Sequence, residues 1–161
     1  MTIEFTLNGK AVKIKTEAER RLIDILRKDF RLTGAKCGCL GGKCGACTII
    51  FNGLAVPSCL VPAFRVRGSQ VITIEGFALT DAYADIVQGF KEASVENCGF
   101  CDSEKILTAE IVLSESVNPA RSEIVNAFKD MRCRCTVLEY LIEGVQAAAR
   151  IRTARLNNAE I

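Results

Sequence analysis

Residues 36–59 read KCGCLGGKCGACTIIFNGLAVPSC and contain five of the nine cysteines in the chain. Three of the five, Cys39, Cys44 and Cys47, follow the spacing C-x4-C-x2-C, and Cys59 comes after eleven further residues. The glycines between them allow tight turns and leave backbone N–H groups free to face an anionic group. This stretch therefore predicts a loop that holds three thiolates around a metal centre, with the fourth supplied by a neighbouring segment.

The spacing of these cysteines separates two kinds of thiolate site. C-x4-C-x2-C with a distant fourth cysteine is the spacing of plant-type [2Fe–2S] ferredoxins. Structural zinc sites more often combine two short C-x2–4-C pairs. The spacing therefore favours an iron–sulfur cluster bound by Cys39, Cys44, Cys47 and Cys59. Cys37 in place of Cys39 would change x4 to x6, so we interpret Cys37 as a thiol that is not a ligand.

A second set of four cysteines follows in the C-terminal half, as the pairs Cys98–Cys101 and Cys133–Cys135. Each pair immediately precedes a predicted helix, and a helix N-terminus places positive partial charge beside an anionic centre. The pattern C-x2-C with C-x-C leaves a zinc site open when it is considered alone. A second four-cysteine set in so short a chain favours two redox centres in series.

Composition and charge exclude several other classes of protein. The chain has 161 residues, is 49% hydrophobic and carries a net charge of +2, with basic and acidic residues interspersed. This distribution lacks the basic stripe of a nucleic-acid-binding surface. Histidine is absent, which excludes Cys/His zinc fingers and Rieske centres. With no secretory signal and no apolar run of about 18 residues, we expect a cytoplasmic protein without a membrane span.

The hydrophobic pattern divides the chain into residues 1–77 and 78–161. The first part predicts a mixed sheet with one helix. Its predicted strands are 2–7, 11–15, 48–51, 54–56 and 70–75, with tight turns at Asn8-Gly9 and Asn52-Gly53. A capping box formed by Thr16 and Glu19 predicts a helix over residues 17–30.

The second part predicts helices throughout. They are expected over residues 83–93, from Asp102 onward, from the Asn118-Pro119 pair, and from Thr136 with a second capping box to Glu139. The last ten residues, RTARLNNAEI, are expected to form a frayed tail.

These motifs together resemble a known family, the small iron–sulfur subunits of molybdenum hydroxylases. Enzymes of the xanthine dehydrogenase, aerobic carbon monoxide dehydrogenase and nicotinate dehydrogenase types have such a subunit. The resemblance extends from Thr2 to about Arg150. It is carried by KCGC at 36–39, CGACT at 44–48, Cys59, NCGFC at 97–101 and CRCT at 133–136.

The resemblance implies an α+β fold in which a β-grasp, ferredoxin-like domain precedes an all-α four-helix domain, each with one [2Fe–2S] cluster. It implies that a molybdopterin-binding large subunit performs the substrate chemistry and that this chain performs none. Electrons would then pass through the helical-domain cluster and the ferredoxin-like cluster to FAD on a medium subunit. In the family, the residues that match Asn97 and Cys135 approach the pterin.

The sequence departs from the family beside the second cysteine set. The family usually reads Gln-Cys-Gly-Tyr/Phe-Cys-Thr-Pro-Gly, whereas Asn97 precedes Cys98 here and Asp102-Ser103-Glu104 follows Cys101. Val137-Leu138 replaces the usual Gly-Tyr. Because negative charge near a cluster disfavours its reduction, we expect the added carboxylates of Asp102 and Glu104 to lower the potential of that cluster.

Two other functions fit the same cysteines. A free two-cluster carrier resembling a ferredoxin would be expected to be strongly acidic, since acidic surfaces steer such carriers to their partners. A zinc-stabilised interaction module would contain zinc and no acid-labile sulfide. Neither explains the whole pattern as well as an electron-transfer subunit of a heteromeric oxidoreductase.

Overall fold

A computed structural model describes residues 1–159 of the chain. Over that range one sheet has the strand order β2-β1-β5-β3-β4, with β1 parallel to β5 and the other neighbours antiparallel. Strand β5 lies between the two hairpins and is the central strand, and β1 is an inner strand that pairs on both sides. The strands are β1 (Thr2–Leu7), β2 (Lys10–Lys15), β3 (Thr48–Phe51), β4 (Leu54–Pro57) and β5 (Gln70–Ile72).

Both hairpins turn at an Asn-Gly pair, as the sequence predicts. Asn8 and Asn52 each have a φ of 49°, and the following glycines also have positive φ. Two consecutive residues with positive φ form the type I′ turn whose twist matches that of paired strands. The second turn sets Phe51 opposite Leu54 and sends β4 back towards the start of β3.

The helices are α1 (Leu22–Asp24, continued by a π-helical segment, Ile25–Asp29), α2 (Ile74–Phe77), α3 (Asp81–Glu92), α4 (Asp102–Glu115), α5 (Arg121–Phe128) and α6 (Leu138–Ala159). The four longer helices, α3 to α6, follow the sheet and make up the C-terminal half. The largest helix–helix contact is between α3 and α6, so these two helices form the centre of the helical half.

Among the described residues, no helix has both the length and the apolar character needed to cross a membrane.

The prediction of a helix over residues 17–30 is wrong at its N-terminal end. Residues 17–20 form turns, and α1 begins only at Leu22. The backbone there pairs with a distant segment instead: Leu22 N donates to Val61 O, and Phe64 N donates to Ala18 O. The Thr16 hydroxyl is buried and has no hydrogen-bond partner among residues 1–159. Tertiary backbone pairing therefore replaces the expected capping box.

The prediction of a frayed C-terminal tail is also wrong over the described part of it. Helix α6 continues to Ala159, and two arginines on its last turns bind carboxylates of other helices. Arg155 donates to both oxygens of the buried Asp85, and Arg152 donates to Glu110 at 2.6 Å. These ion pairs stabilise the end of the helix against α3 and α4. Residues 160–161 lie outside the described residues.

The structure also differs from the sequence predictions at the end of β5 and at the starts of α5 and α6. Strand β5 ends at Ile72, because the next residues turn into α2. Helix α5 begins at Arg121, after the Asn118-Pro119 pair, and Ala120 N donates to Glu123 at its start. The capping box expected for α6 is absent from the described residues, because Arg121 binds the Glu139 carboxylate and the Thr136 hydroxyl donates elsewhere.

The two halves have separate hydrophobic cores that meet at the sheet. One core lies between the sheet and α1 and includes Ile3, Leu22 and Ile49. The other lies among the helices but also includes Ile50, with Ile72 packed against it. Alternation along β3 thus places Ile49 in one core and Ile50 in the other. The domain boundary after residue 77 remains a prediction, since the second core extends onto strands that precede it.

Two candidate cysteine metal centres

The first cysteine site begins on the loop between α1 and β3, where backbone N–H groups point at sulfur. Gly41 N and Lys43 N donate to Cys39 Sγ at 3.4 and 3.2 Å, and Cys39 N donates to Cys44 Sγ at 3.4 Å. The hydrogen bonds from Gly41 and Lys43 lower the pKa of the Cys39 thiol to about 6. The loop therefore stabilises thiolate at neutral pH, which is the form that binds metal.

The second pair of this site comes from the β3–β4 hairpin. Cys47 immediately precedes β3, Cys59 lies in a 3-10 turn after β4, and both are buried. The two side chains are in hydrogen-bonding contact, and burial raises the pKa of Cys47 to about 11. Ser58 holds this geometry, because its N–H and its hydroxyl both donate to Cys47 O, at 3.1 and 2.8 Å. The hairpin therefore returns the chain so that the distant fourth cysteine meets the loop.

The second cysteine site is assembled from two segments of the helical half. Cys101 Sγ lies 3.6 Å from Cys133 Sγ, and the Cys98 and Cys135 thiols are in hydrogen-bonding contact. The Cys98 and Cys101 sulfurs lie within 4.8 Å of each other. Burial raises the pKa of Cys101 to about 12, and the neighbouring Cys133 thiol acts in the same direction. The structure therefore brings all four sequence-predicted thiols of this half together.

One backbone carbonyl joins the two segments of the second site. Glu96 O accepts a hydrogen bond from Thr136 Oγ1 at 2.8 Å and another from Lys105 Nζ. Glu96 lies two residues before Cys98, and Thr136 directly follows Cys135. The shared carbonyl therefore fixes the two cysteine pairs relative to each other.

Lys105 is a residue of this site that the sequence reasoning missed. Its side chain is 0% exposed and forms an ion pair with Asp102 Oδ1 at 3.1 Å. Asp102 Oδ2 accepts a hydrogen bond from Gly99 N at 2.8 Å, inside the Cys98–Cys101 turn. One sequence feature could have identified Lys105: it lies one helical turn after Cys101, on the same side of the helix, and is followed by the apolar residues Ile106 and Leu107.

The first turn of α4 also contacts the first cysteine site. Ser103 Oγ donates to Ala46 O at 3.2 Å, and Ala46 lies between Cys44 and Cys47. The Glu104 carboxylate lies against Gly45, where a Cβ would overlap it. Burial raises the pKa of Glu104 to about 7. Its Oε2 atom is buried without a hydrogen-bond partner in the described chain. The two cysteine sites are therefore adjacent, and α4 connects them.

The remaining candidate residues lie at the surface. Cys37 and Asn97 are both exposed, and Asn97 lies directly beside Cys98, also exposed. Exposed apolar side chains lie close in sequence to each set of cysteines. Near the second site they include Phe100, Val137 and Tyr140, and near the first they include Leu40, Leu60 and Phe64.

The donor set fits iron–sulfur clusters. Two thiolates on one tetrahedral metal with metal–sulfur bonds of about 2.3 Å lie roughly 3.7 Å apart, close to the 3.6 Å between Cys101 Sγ and Cys133 Sγ. Each site offers four thiols and no histidine. Backbone N–H groups that point at sulfur, as at Cys39 Sγ, are the interactions that tune a cluster's potential. These features define a class of protein with two thiolate-ligated redox centres.

Comparisons with known proteins agree with this class. The family model described as a 2Fe-2S iron-sulfur cluster binding domain matches residues 5–70, and that of a [2Fe-2S] binding domain matches residues 73–146. The nicotinate dehydrogenase small FeS subunit of Eubacterium barkeri is 44% identical over 158 residues, which covers 98% of each chain.

Solved structures show the same fold. Quinoline 2-oxidoreductase from Pseudomonas putida 86 aligns with a TM-score of 0.85 at 34% identity, over 96% of both chains. The aldehyde oxidoreductase from Desulfovibrio desulfuricans aligns with a TM-score of 0.86 at 32% identity, over 95% of this chain and 17% of its own. The same module thus occurs both as a chain of similar length and as a small part of a larger one.

This chain belongs to the family of small iron–sulfur subunits of molybdenum hydroxylases, which includes subunits of nicotinate and xanthine dehydrogenases. The predicted family and the predicted fold, a β-grasp part followed by four helices, are both confirmed. The chain is therefore an electron-transfer component of an oxidoreductase, and its two domains are [2Fe–2S]-binding domains.

Proposed function

We propose that this chain holds one [2Fe–2S] cluster at each cysteine site and passes electrons from a molybdopterin centre to FAD, both on partner subunits. The observation that carries the proposal is the contact between the two sites. Ser103, two residues after Cys101, donates to Ala46 O, and Ala46 directly precedes Cys47. A few bonds and one hydrogen bond thus connect a ligand of one cluster with a ligand of the other.

The thiol contacts indicate how the ligands divide between the irons. In the first site Cys39 contacts Cys44, and Cys47 contacts Cys59. We assign each contacting pair to one iron, since two thiolates of one tetrahedral metal are neighbours.

The second site divides in the same way. Cys101 contacts Cys133, and Cys98 contacts Cys135. Each iron would then bind one thiolate from each segment, so neither segment alone completes a metal site. When bound, the clusters supply one-electron chemistry, and the chain positions them and sets their surroundings.

Substitution of single cysteines tests whether each site holds its own cluster. In the anaerobically purified chain, C59S should remove one cluster and C135S the other, each with loss of its own paramagnetic resonance signal after reduction. C37S is the matched control, since Cys37 is an exposed cysteine of the same loop, and it should retain both signals. If the parent chain contains zinc without iron or acid-labile sulfide, the proposal is wrong.

The order of transfer follows from which partner meets which site. Near Cys98 and Asn97 the exposed apolar residues are Phe100, Val137 and Tyr140, and we assign this surface to the molybdopterin-binding large subunit. Near Cys39 the exposed residues Leu40, Leu60 and Phe64 are assigned to the FAD-binding medium subunit. An exposed apolar patch beside a redox site is typical of a protein–protein interface.

Serine substitutions separate the two interfaces. F100S should weaken co-purification with the large subunit and spare the medium subunit, while L60S should do the reverse. Leu79 is 89% exposed and follows α2, so L79S serves as the control and should change neither. A chain that purifies alone, without larger subunits, and exchanges electrons freely would favour the free-carrier alternative.

A further inference from the structure

Lys105 lies inside the protein beside the second cysteine site. It is on the first turns of α4, and its N–H donates to Cys101 O at 3.3 Å. Its side chain is fully buried, whereas Lys43, the lysine of the first site's loop, is exposed. Burial of an ammonium group is unfavourable unless charges and hydrogen bonds compensate. A buried lysine at this position therefore has a specific set of partners.

Protein groups account for part of that compensation. Lys105 Nζ lies 3.1 Å from Asp102 Oδ1 and donates to Glu96 O. The Asp102 carboxylate also accepts from Gly99 N through its other oxygen. One carboxylate and one ammonium form a pair with no net charge, so the pair itself leaves the charge of four thiolates unbalanced.

The sulfurs of the second site lie beside this ion pair. A carboxylate oxygen of Asp102 and the sulfurs of Cys98 and Cys101 all lie within 4.8 Å of one another. Cys133 Sγ is 3.6 Å from Cys101 Sγ. Because Lys105 Nζ is paired with the Asp102 carboxylate, its positive charge is close to thiols of both cysteine pairs.

A cluster in this site would carry a net negative charge that the neutral pair of Lys105 and Asp102 does not balance. An oxidised [2Fe–2S] cluster with four thiolates carries a charge of about −2, and reduction adds one more negative charge. A fixed cation in a dry interior stabilises the reduced form more than the oxidised form. The potential of that cluster therefore depends on the ammonium and on the carboxylate beside it.

We propose that Lys105 is the buried counter-cation of the second cysteine site, where it raises the cluster's reduction potential and holds Glu96 O, the carbonyl that also accepts the Thr136 hydroxyl. This inference rests on the proposed function, because it requires a cluster in that site. Lys105 acts as a positioning residue and touches no substrate. Asp102 acts in the opposite direction and lowers that potential, as expected from the sequence, and the paired Lys105 offsets this effect.

Opposite charge changes give the test. In the full-length chain with both clusters assembled, K105M should lower the potential of the second-site cluster, and D102N should raise it. K105R retains the positive charge and should keep the potential near that of the parent. Redox titration followed by paramagnetic resonance measures both clusters in one sample, with the signals assigned by C59S and C135S. The first-site cluster serves as the internal control and should shift much less.

The outcomes separate this inference from the proposed function. A parent chain without two clusters contradicts the proposed function. A parent with two clusters, in which K105M and D102N leave the second potential unchanged or shift it in the same direction, overturns the role of Lys105. If K105M fails to assemble the second cluster, D102N decides alone, since a potential that stays or falls there also overturns the inference.

Discussion

Thr48 and Thr136 each directly follow the last cysteine of a motif, and each hydroxyl donates to a backbone carbonyl. Thr48 Oγ1 binds Gly45 O, three residues away at 2.7 Å, whereas Thr136 Oγ1 binds Glu96 O, forty residues away at 2.8 Å. Both carbonyls receive a second donor, Thr48 N in the first case and Lys105 Nζ in the second. The same local device thus closes one loop at the first site and joins two distant segments at the second.

The difference also concerns the source of positive charge. At the first site, backbone N–H groups of Gly41 and Lys43 face Cys39 Sγ. At the second site, the buried side chain of Lys105 lies beside the thiols. Backbone N–H groups are not absent from the second site, because those of Cys135 and Thr136 donate to Cys133 and helix N-termini leave N–H groups free. The two sites therefore share backbone donors and differ in the full charge that the buried Lys105 adds at the second site.

The largest expected effect tests the place where the two sites touch. Gly45 has a φ of +65°, and a Cβ there would overlap the Glu104 carboxylate. G45A should therefore cost about 2 kcal/mol of stability, from backbone strain together with displacement of the Glu104 carboxylate. It should also reduce occupancy of the first cluster. Urea unfolding and iron content measure the two effects.

Two variants identify the cause of that loss. Gly53 also has positive φ, +84°, but no described atom lies within 4 Å of its added Cβ. G53A should therefore cost only about 1 kcal/mol of backbone strain. G45A/E104A should recover the part due to the clash. Equal losses in G45A and G53A would show that the contact with α4 does not matter.

The next largest effect distinguishes the local closure from the remote one. T48V and T136V each remove one hydroxyl donor from a buried position and should each cost about 1 kcal/mol. T48V should speed iron release from the first site only, and T136V from the second site only. A chelator assay followed by paramagnetic resonance measures the two rates. Similar release from both sites in either variant would contradict the separation.

A smaller effect depends on pH and arises at Glu104. Burial raises the pKa of this carboxyl from 4.5 to about 7 in the folded chain. The folded state therefore holds the proton more tightly than the unfolded state, and stability falls as pH rises from 4.5 to about 7. E104Q removes this penalty and should stabilise the protein by about 1 kcal/mol at pH 8, a figure reduced for partial exposure.

The pH profile of the melting temperature provides the measurement. The advantage of E104Q should shrink between pH 7 and pH 5. E17Q, a substitution at an exposed glutamate, should follow the parent at every pH. An E104Q advantage that does not depend on pH would point to packing and not to charge.

The smallest expected effect concerns an ion pair at the surface. Arg121 donates to both oxygens of Glu139 at 2.6 and 2.7 Å, but both side chains are more than half exposed. Solvent and salt screen such a pair. E139Q should leave the melting temperature and both iron-release rates unchanged within error. A clear loss of the second cluster in E139Q would mean that the helix α5–α6 contact also holds the site.

The sequence predicts the cysteine grouping because both sets use short, fixed spacings that are typical of metal-binding loops. It predicts the hairpins for a similar reason, since Asn-Gly turns act over two residues. The errors occur where contacts between residues far apart in the sequence determine where a helix begins or ends. The helix expected from Glu17 starts late because its backbone pairs with residues 61–64. The tail is helical because Arg152 and Arg155 meet carboxylates at positions 110 and 85.

The same limit applies to the sites. Lys105 and Glu96 have no recognisable spacing relative to Thr136, so their meeting at one carbonyl depends on the tertiary fold. The contact of Ser103 with Ala46 joins positions 57 residues apart. The pattern of thiols was therefore predictable, whereas the groups that surround the thiols were not.

The shared packing of β3 has a consequence for the speed of electron flow. Because Ile49 and Ile50, consecutive residues of one strand, belong to the two different cores, the halves cannot swing apart without opening both interiors. We therefore expect the gap between the two sites to stay constant during turnover. Transfer between the clusters should accordingly show no dependence on solvent viscosity, unlike carriers that swing a tethered domain between donor and acceptor.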